Sequence, residues 1–267
     1  ATGYTTSSGI QLINSNNNDI MNNIANGNQV GIGIGLSNYN TVQNNVVNQN
    51  RAHGFFITSS SQNVLTGNTV TQNSFNTSIG YGNAGIVFVY SSDNNALSSN
   101  TVNSNNGYGI YVIGSSLNNI QSNIVNSNNC GVGLYGYSFP ANSNTVSGNT
   151  MNSNNICGVY LSNSHFNTIS SNMIALTQSG VGISFGLSSN SNIISANTVN
   201  FNPNGMFVRG DYNNIQNNIV NQNTYNGINV FEGNFTTVTG NTVIGNNRAG
   251  ITITNSKYST LTVNTMA

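Results

Sequence analysis

The chain has 267 residues, enough for one sizeable core, yet only 3% of them are charged, 36% are hydrophobic and Trp is absent. Four basic residues balanced by four acidic ones leave no basic patch to neutralise phosphates, which excludes a nucleic-acid partner. No apolar run approaches the roughly 18 residues of a membrane span, and the opening at Ala1 without an initiator Met is the pattern expected of a mature secreted form.

Asn supplies roughly a fifth of the sequence. A disordered Asn-rich tract would carry no regular spacing of Ile, Val and Leu, and here that spacing is regular. In chain order, Gly9, Gly31, Gly54, Gly85, Gly109, Gly131, Gly158, Gly182, Gly205, Gly227 and Gly250 each open a short strand. Apolar residues one and three positions on face inward, from Ile10/Leu12 through Ile110/Val112 to Ile251/Ile253. This period of two means strand rather than helix.

A second register follows each strand: an aliphatic residue, two spacers, Asn, one spacer, then usually Val, Ile or Met. Its Asn column is Asn23, Asn45, Asn68, Asn100, Asn123, Asn149, Asn172, Asn197, Asn218, Asn241 and Asn264. Five residues later runs another, Asn28, Asn50, Asn73, Asn105, Asn128, Asn154, Asn202, Asn223 and Asn246, with Thr177 the exception. A small-residue column lies eight before the first, at Ser15, Ser37, Ser60, Ser92, Ser115, Ser164, Ser189 and Ser256. Such columns require coils of about 22 residues stacked in register, eleven of them, so that each Asn can bond its counterpart in the next coil. At about 4.8 Å per coil the stack is a rod roughly 50 Å long. Residues 1–267 read as a single β-helix domain, in which 1–8 are an N-terminal extension or donor strand and 74–84 an inserted loop. A smaller insertion around Tyr137 to Asn142 carries Pro140.

The units at Gly109-Ile110-Tyr111-Val112 and Asn119-Ile120-Gln121-Ser122-Asn123-Ile124-Val125 resemble the short parallel β-helix repeats of the pectate-lyase-like superfamily, particularly its NosD-type group. That resemblance covers essentially the whole chain. It implies an all-β, single-stranded right-handed β-solenoid with three short sheets, and a periplasmic or cell-surface setting. It implies little about function, because the fold hosts lyases, hydrolases, epimerases, adhesins and structural rods.

Cys130 and Cys157 stand immediately before register glycines in adjacent coils, about 4.8 Å apart, which predicts a disulfide and an oxidising compartment. Asn76-Thr77-Ser78 and Asn234-Phe235-Thr236 fit the N-glycosylation pattern. The only acids are Asp19, Asp93, Asp211 and Glu232. Asp93 and Asp211 share a column but lie about 24 Å apart, too far to act as a pair. Asp211 and Glu232 occupy neighbouring coils beside Arg209 and read as a surface ion-pair network. His53 and His165 read as turn or surface residues, and no Cys/His cluster has metal-ligand spacing, so no catalytic set, metal or cofactor is expected.

The outward residue of each strand offers large aromatics on alternate coils, Phe56, Tyr111, Tyr160 and Phe207, as an exposed interaction stripe unless insertions cover it. No amphipathic helix precedes or follows the repeats, so both ends read as open. The leading functional expectation is therefore a non-enzymatic extracellular structural protein that stacks on itself head to tail into a filament, fibre or sheath. The alternative is a secreted carbohydrate-binding or carbohydrate-active β-helix that meets surface glycans on the aromatic stripe. Third comes an ice-binding or adhesin-type solenoid, for which Thr69, Thr101, Thr150, Thr198, Thr242 and Thr265 form an interrupted grid.

Overall fold

The structure, a computed structural model, describes residues 7–75 and 82–267. It is a parallel β-solenoid of about eleven turns, with strands and corners and no helix among the described residues. Each turn contributes one strand of about six residues and then one or two of two or three residues. The long strands, from Ser8–Ile13 to Ala249–Thr254, pair in sequence order into one 11-stranded sheet. The first short strands, from Asp19–Met21 to Thr260–Thr262, make a second 11-stranded sheet. A third face is broken into smaller sheets where Ile24, Ile124 and Ile219 form only isolated bridges.

Inward positions of all three faces meet in one core that runs the length of the stack. Phe55, Phe88 and Phe185 are its largest fully buried members, layered among Ile32, Ile34, Ile57, Leu65, Ile86 and Leu97. Each such side chain contributes about 1.5–3 kcal/mol on burial. The glycine register exists because the interior has no room there. A Cβ at Gly85 would stand 2.8 Å from Val102 Cγ1 and 2.7 Å from Asn105 Nδ2, and one at Gly109 would stand 2.8 Å from Asn128 Nδ2.

The corners follow one local rule. A residue in the left-handed region is followed by an inward Asn or Ser, as in Leu36/Ser37, Tyr39/Asn40, Asn44/Asn45 and Gln49/Asn50. For a residue with a Cβ the left-handed conformation costs roughly 1–2 kcal/mol. The inward side chain offsets that cost by satisfying corner backbone groups. Asn45 shows the pattern: its N–H and Nδ2 donate to Asn68 Oδ1 at 2.9 and 3.0 Å, and Nδ2 also donates to the Ile20 carbonyl at 2.8 Å. Serines do the same more simply, Ser37 donating its hydroxyl to the Gly35 carbonyl while its N–H donates to Ser60 Oγ.

Both Asn columns expected from the sequence are ladders of this kind. A third runs beside them through Asn18, Asn40, Asn63, Asn95, Asn118, Asn144, Asn167, Asn192 and Asn213. Register survives even where the coil lengthens to 32 residues between Asn68 and Asn100. At Thr177 the second ladder breaks. Thr177 N–H still donates to Asn202 Oδ1, but its own buried hydroxyl has no partner. Thr177→Asn is therefore expected to stabilise the protein by about 1–2 kcal/mol, the worth of restored buried hydrogen bonds. An unchanged or lower denaturation midpoint would count against the ladder as a source of stability.

Candidate functional site

Regular alternation would put Tyr108 and Tyr111 on opposite faces of their strand, since they are three residues apart. Gly109 and Ile110 both face inward, which breaks the alternation, and both rings emerge on the outer face. They stack with centroids 4.0 Å apart and planes 7° from parallel. The next coil leaves room for them with Gly133, where a Cβ would stand 2.7 Å from Tyr108 Cδ1 and 2.8 Å from Tyr111 Cδ2. Tyr135 tilts against Tyr111 at 6.4 Å, and Tyr137 stacks on Tyr135 at 6.3 Å. Beneath them Ala84, Val87 and Val89 form an outer apolar cluster with Phe56 and Ile113.

Between these rings lies a groove of about 320 Å³ lined by Gly82, Tyr111, Ile113, Tyr135 and Tyr137. It continues past Ile113 and Tyr137 into a smaller hollow of about 100 Å³ under Tyr90 and Phe139. Tyr137 is the accessible plate, 79% exposed, whereas Tyr111 is only 9% exposed and forms a wall. Burial, then the neighbouring tyrosines, pushes the Tyr108 phenol up to about 12 and the Tyr111 phenol higher still. Both stay protonated at neutral pH. Each phenol therefore keeps an O–H available to donate, beside the stacked ring faces.

The sequence-predicted residues fall into three groups. Phe56, Tyr111, Tyr160 and Phe207 do share one outward row, but not as an open stripe. Tyr111 is buried, Phe56 and Tyr160 are half-buried, and Phe207 packs on Phe231 at 6.1 Å. Cys130 and Cys157 are disulfide-bonded partners in adjacent long strands, with Cα atoms 4.7 Å apart. Asn76 lies outside the described residues, as do residues 1–6 of the expected donor strand and most of the inserted loop.

The polar candidates share a corner. Along it each side chain accepts the backbone N–H of the next coil: Asp93 Oδ1 from Ser116 at 2.6 Å, Asn142 Oδ1 from His165 at 2.8 Å and His165 Nδ1 from Asn190 at 3.2 Å. Asn190 Oδ1 then accepts from Asp211, Asp211 Oδ1 from Asn234, and Asn234 Oδ1 from Lys257. Asp93 and Asp211 thus cap backbone, and Glu232 pairs with Arg209, which also lies 5.6 Å over the Phe231 ring. His53 departs from the turn or surface position expected of it. It sits in the strand His53–Thr58, 1% exposed, against Phe56 at 5.5 Å, and neither ring nitrogen has a hydrogen-bond partner.

Sequence reasoning missed Tyr108, Tyr135, Tyr137 and Phe139. The available signal was the run of aromatics in Tyr135-Gly136-Tyr137-Ser138-Phe139 within an insertion, where a solenoid places what is not structural repeat.

The described residues thus form a parallel β-solenoid with an aromatic groove on the outer face of its long sheet. The family model described as periplasmic copper-binding protein (NosD) matches residues 2–83, 75–194 and 176–267, and the chain belongs to that family. A search of curated proteins finds no sequence match. Among solved structures, the periplasmic alginate epimerase AlgG is similar over 93% of this chain and 73% of its own, at 12% identity and a TM-score of 0.67. The catalytic domain of a GH87 α-1,3-glucanase, solved with tetrasaccharides, is similar over 97% and 61%, at 13% identity and 0.66. The Dettilon tailspike protein is similar over 96% and 54%, at 16% identity and 0.62.

At these identities the likeness is one of fold. It still overturns two expectations, the filament-forming structural protein and the absence of enzyme activity. The structural neighbours are an epimerase, a glucanase and a tailspike, which backs the carbohydrate-directed alternative better than the filament. The physical reason for the error is that ends read as open were taken for stacking surfaces, and sparse carboxylates for the absence of any site.

Proposed function

We propose that this chain is a carbohydrate-active β-helix of the periplasm or cell exterior that holds a glycan along the outer face of its long sheet. The observation that carries the reading is the tyrosine groove formed by Tyr111, Ile113, Tyr135 and Tyr137. Sugar rings present a face of C–H groups that packs on aromatic plates and a rim of hydroxyls that accepts from phenols, and the groove supplies both. The disulfide on the same face supports an oxidising compartment.

Copper, named in the family description, does not fit the side chains present. Copper sites are built from thiolate, thioether or imidazole ligands. Here both cysteines are consumed by their disulfide, His165 commits Nδ1 to the Asn190 N–H, Met151 and Met206 are fully buried in the core, the exposed Met21, Met173 and Met266 stand in separate strands that do not pair, and no three of His, Cys, Asp and Glu come together among the described residues.

Tyr137→Ala removes the exposed plate without touching the core. It is expected to weaken glycan binding about tenfold, or about 1.4 kcal/mol, in affinity electrophoresis. Thermal stability should stay within about 0.5 kcal/mol of the parent. A chain that neither retards on nor converts any polysaccharide of a broad panel would overturn the reading.

A further inference from the structure

We infer that the groove selects an uncharged glycan and discriminates against polyuronates and sulfated chains; this rests on the carbohydrate reading above and names its ligand class. Between Arg51 and Arg209 the only Asp, Glu, Lys or Arg in the sequence is Asp93. Its Oδ1 is committed to the Ser116 N–H, in the corner beyond the strand Ala84–Val89.

The five long strands around the groove therefore present uncharged outer rows. Their first outward positions are His53, Ala84, Tyr108, Cys130 and Cys157, and their middle ones are Phe56, Val87, Tyr111, Gly133 and Tyr160. The last row is Thr58, Val89, Ile113, Tyr135 and Ser162. His53 is the single imidazole among them, and burial keeps it neutral.

The nearest cations do not reach the groove. Arg51 is exposed and precedes its strand, at the opposite edge of the sheet from Ile113 and Tyr137. Arg209 lies four long strands beyond Tyr111, about 19 Å at the strand spacing, and its charge is matched by Glu232. A carboxylate or sulfate brought into the groove would lose water and gain no counter-charge. Removing an ion from water without a partner costs several kcal/mol, so each acidic sugar would oppose binding. Neutral hydroxyls lose less and gain phenol donors and aromatic faces. The selection follows from electrostatics alone and separates this groove from one built for alginate.

The test uses the full chain against neutral polysaccharides (β-glucan, α-glucan, mannan, xylan) and acidic ones (alginate, polygalacturonate, hyaluronan). Binding is measured by calorimetry at low and at physiological salt. The expected result is at least about tenfold tighter binding to one or more neutral chains than to any acidic chain, with little salt dependence. In Ile113→Lys, whose stem can lie along the groove while its ammonium reaches water, affinity for acidic chains should rise about tenfold at low salt. Tightest binding to an acidic chain would overturn this inference and leave the carbohydrate reading intact. Binding to no chain would overturn both.

Discussion

Asn123→Ala is expected to destabilise the protein by about 4 kcal/mol or more. Asn123 is 1% exposed and its side chain makes five hydrogen bonds. Nδ2 donates to Asn149 Oδ1 and to the Leu97 and Gln121 carbonyls, while Oδ1 accepts from Asn100 N–H and Nδ2. Alanine leaves those partners in a dry corner, and each unsatisfied buried group costs about 1–3 kcal/mol. Asn264→Ala provides the contrast. In the last turn Asn264 is only half-buried, so the same deletion should cost about 1 kcal/mol. Thermal unfolding combined with hydrogen exchange checks the pair, because a stacked array loses stability turn by turn. Equal costs at the two positions would show that the ladder's worth does not depend on burial.

Acid should weaken the fold as pH falls from 6.5 towards 4. His53 is buried without a hydrogen-bonding partner, and desolvation pulls its pKa from 6.5 down to about 4, opposed only by the nearby Ala84 backbone. Above pH 6.5 the imidazole is neutral whether the chain is folded or not, and stability is unaffected. As pH falls from 6.5 towards 4 the unfolded chain takes up a proton that the folded chain refuses. The unfolded state then binds more protons, and stability declines with falling pH. The loss levels off below about pH 4 at roughly 3 kcal/mol for a shift of this size. His53→Leu, of similar volume and without charge, should flatten the stability curve across that window. A parent curve already flat between pH 6.5 and 4 would refute the assignment.

The repeat was legible because its physics is local and additive. Gly109 and its equivalents mark where no Cβ fits, and Cys130 and Cys157 meet because coils in register bring one column together. The ladder through Asn18 and Asn40 was hidden by its own composition. Asn16, Asn17 and Asn18 stand in a row, and only the fold tells which of them turns inward.

The groove was less legible for a different reason. Simple alternation places Tyr108 and Tyr111 on opposite faces, and it is the pair of consecutive inward positions, Gly109 and Ile110, that brings them together. Tyr137 and Phe139 belong to an insertion, where column-by-column reading has nothing to align. His53 illustrates the opposite error. A lone histidine in a polar chain suggests a surface, but its flanks, Ala52 and Gly54, are fully buried.

The two kinds of side-chain bond along the stack point in opposite senses. Inner asparagines donate forward, Asn45 to Asn68, whereas the corner acceptors receive from ahead, Asp93 from Ser116. A newly laid turn therefore leaves both inner donors and outer acceptors ready for the residues that come after it. A polypeptide delivered amino-terminus first across a membrane can settle one turn at a time in the order of its export, each finished layer serving as the mould for the next.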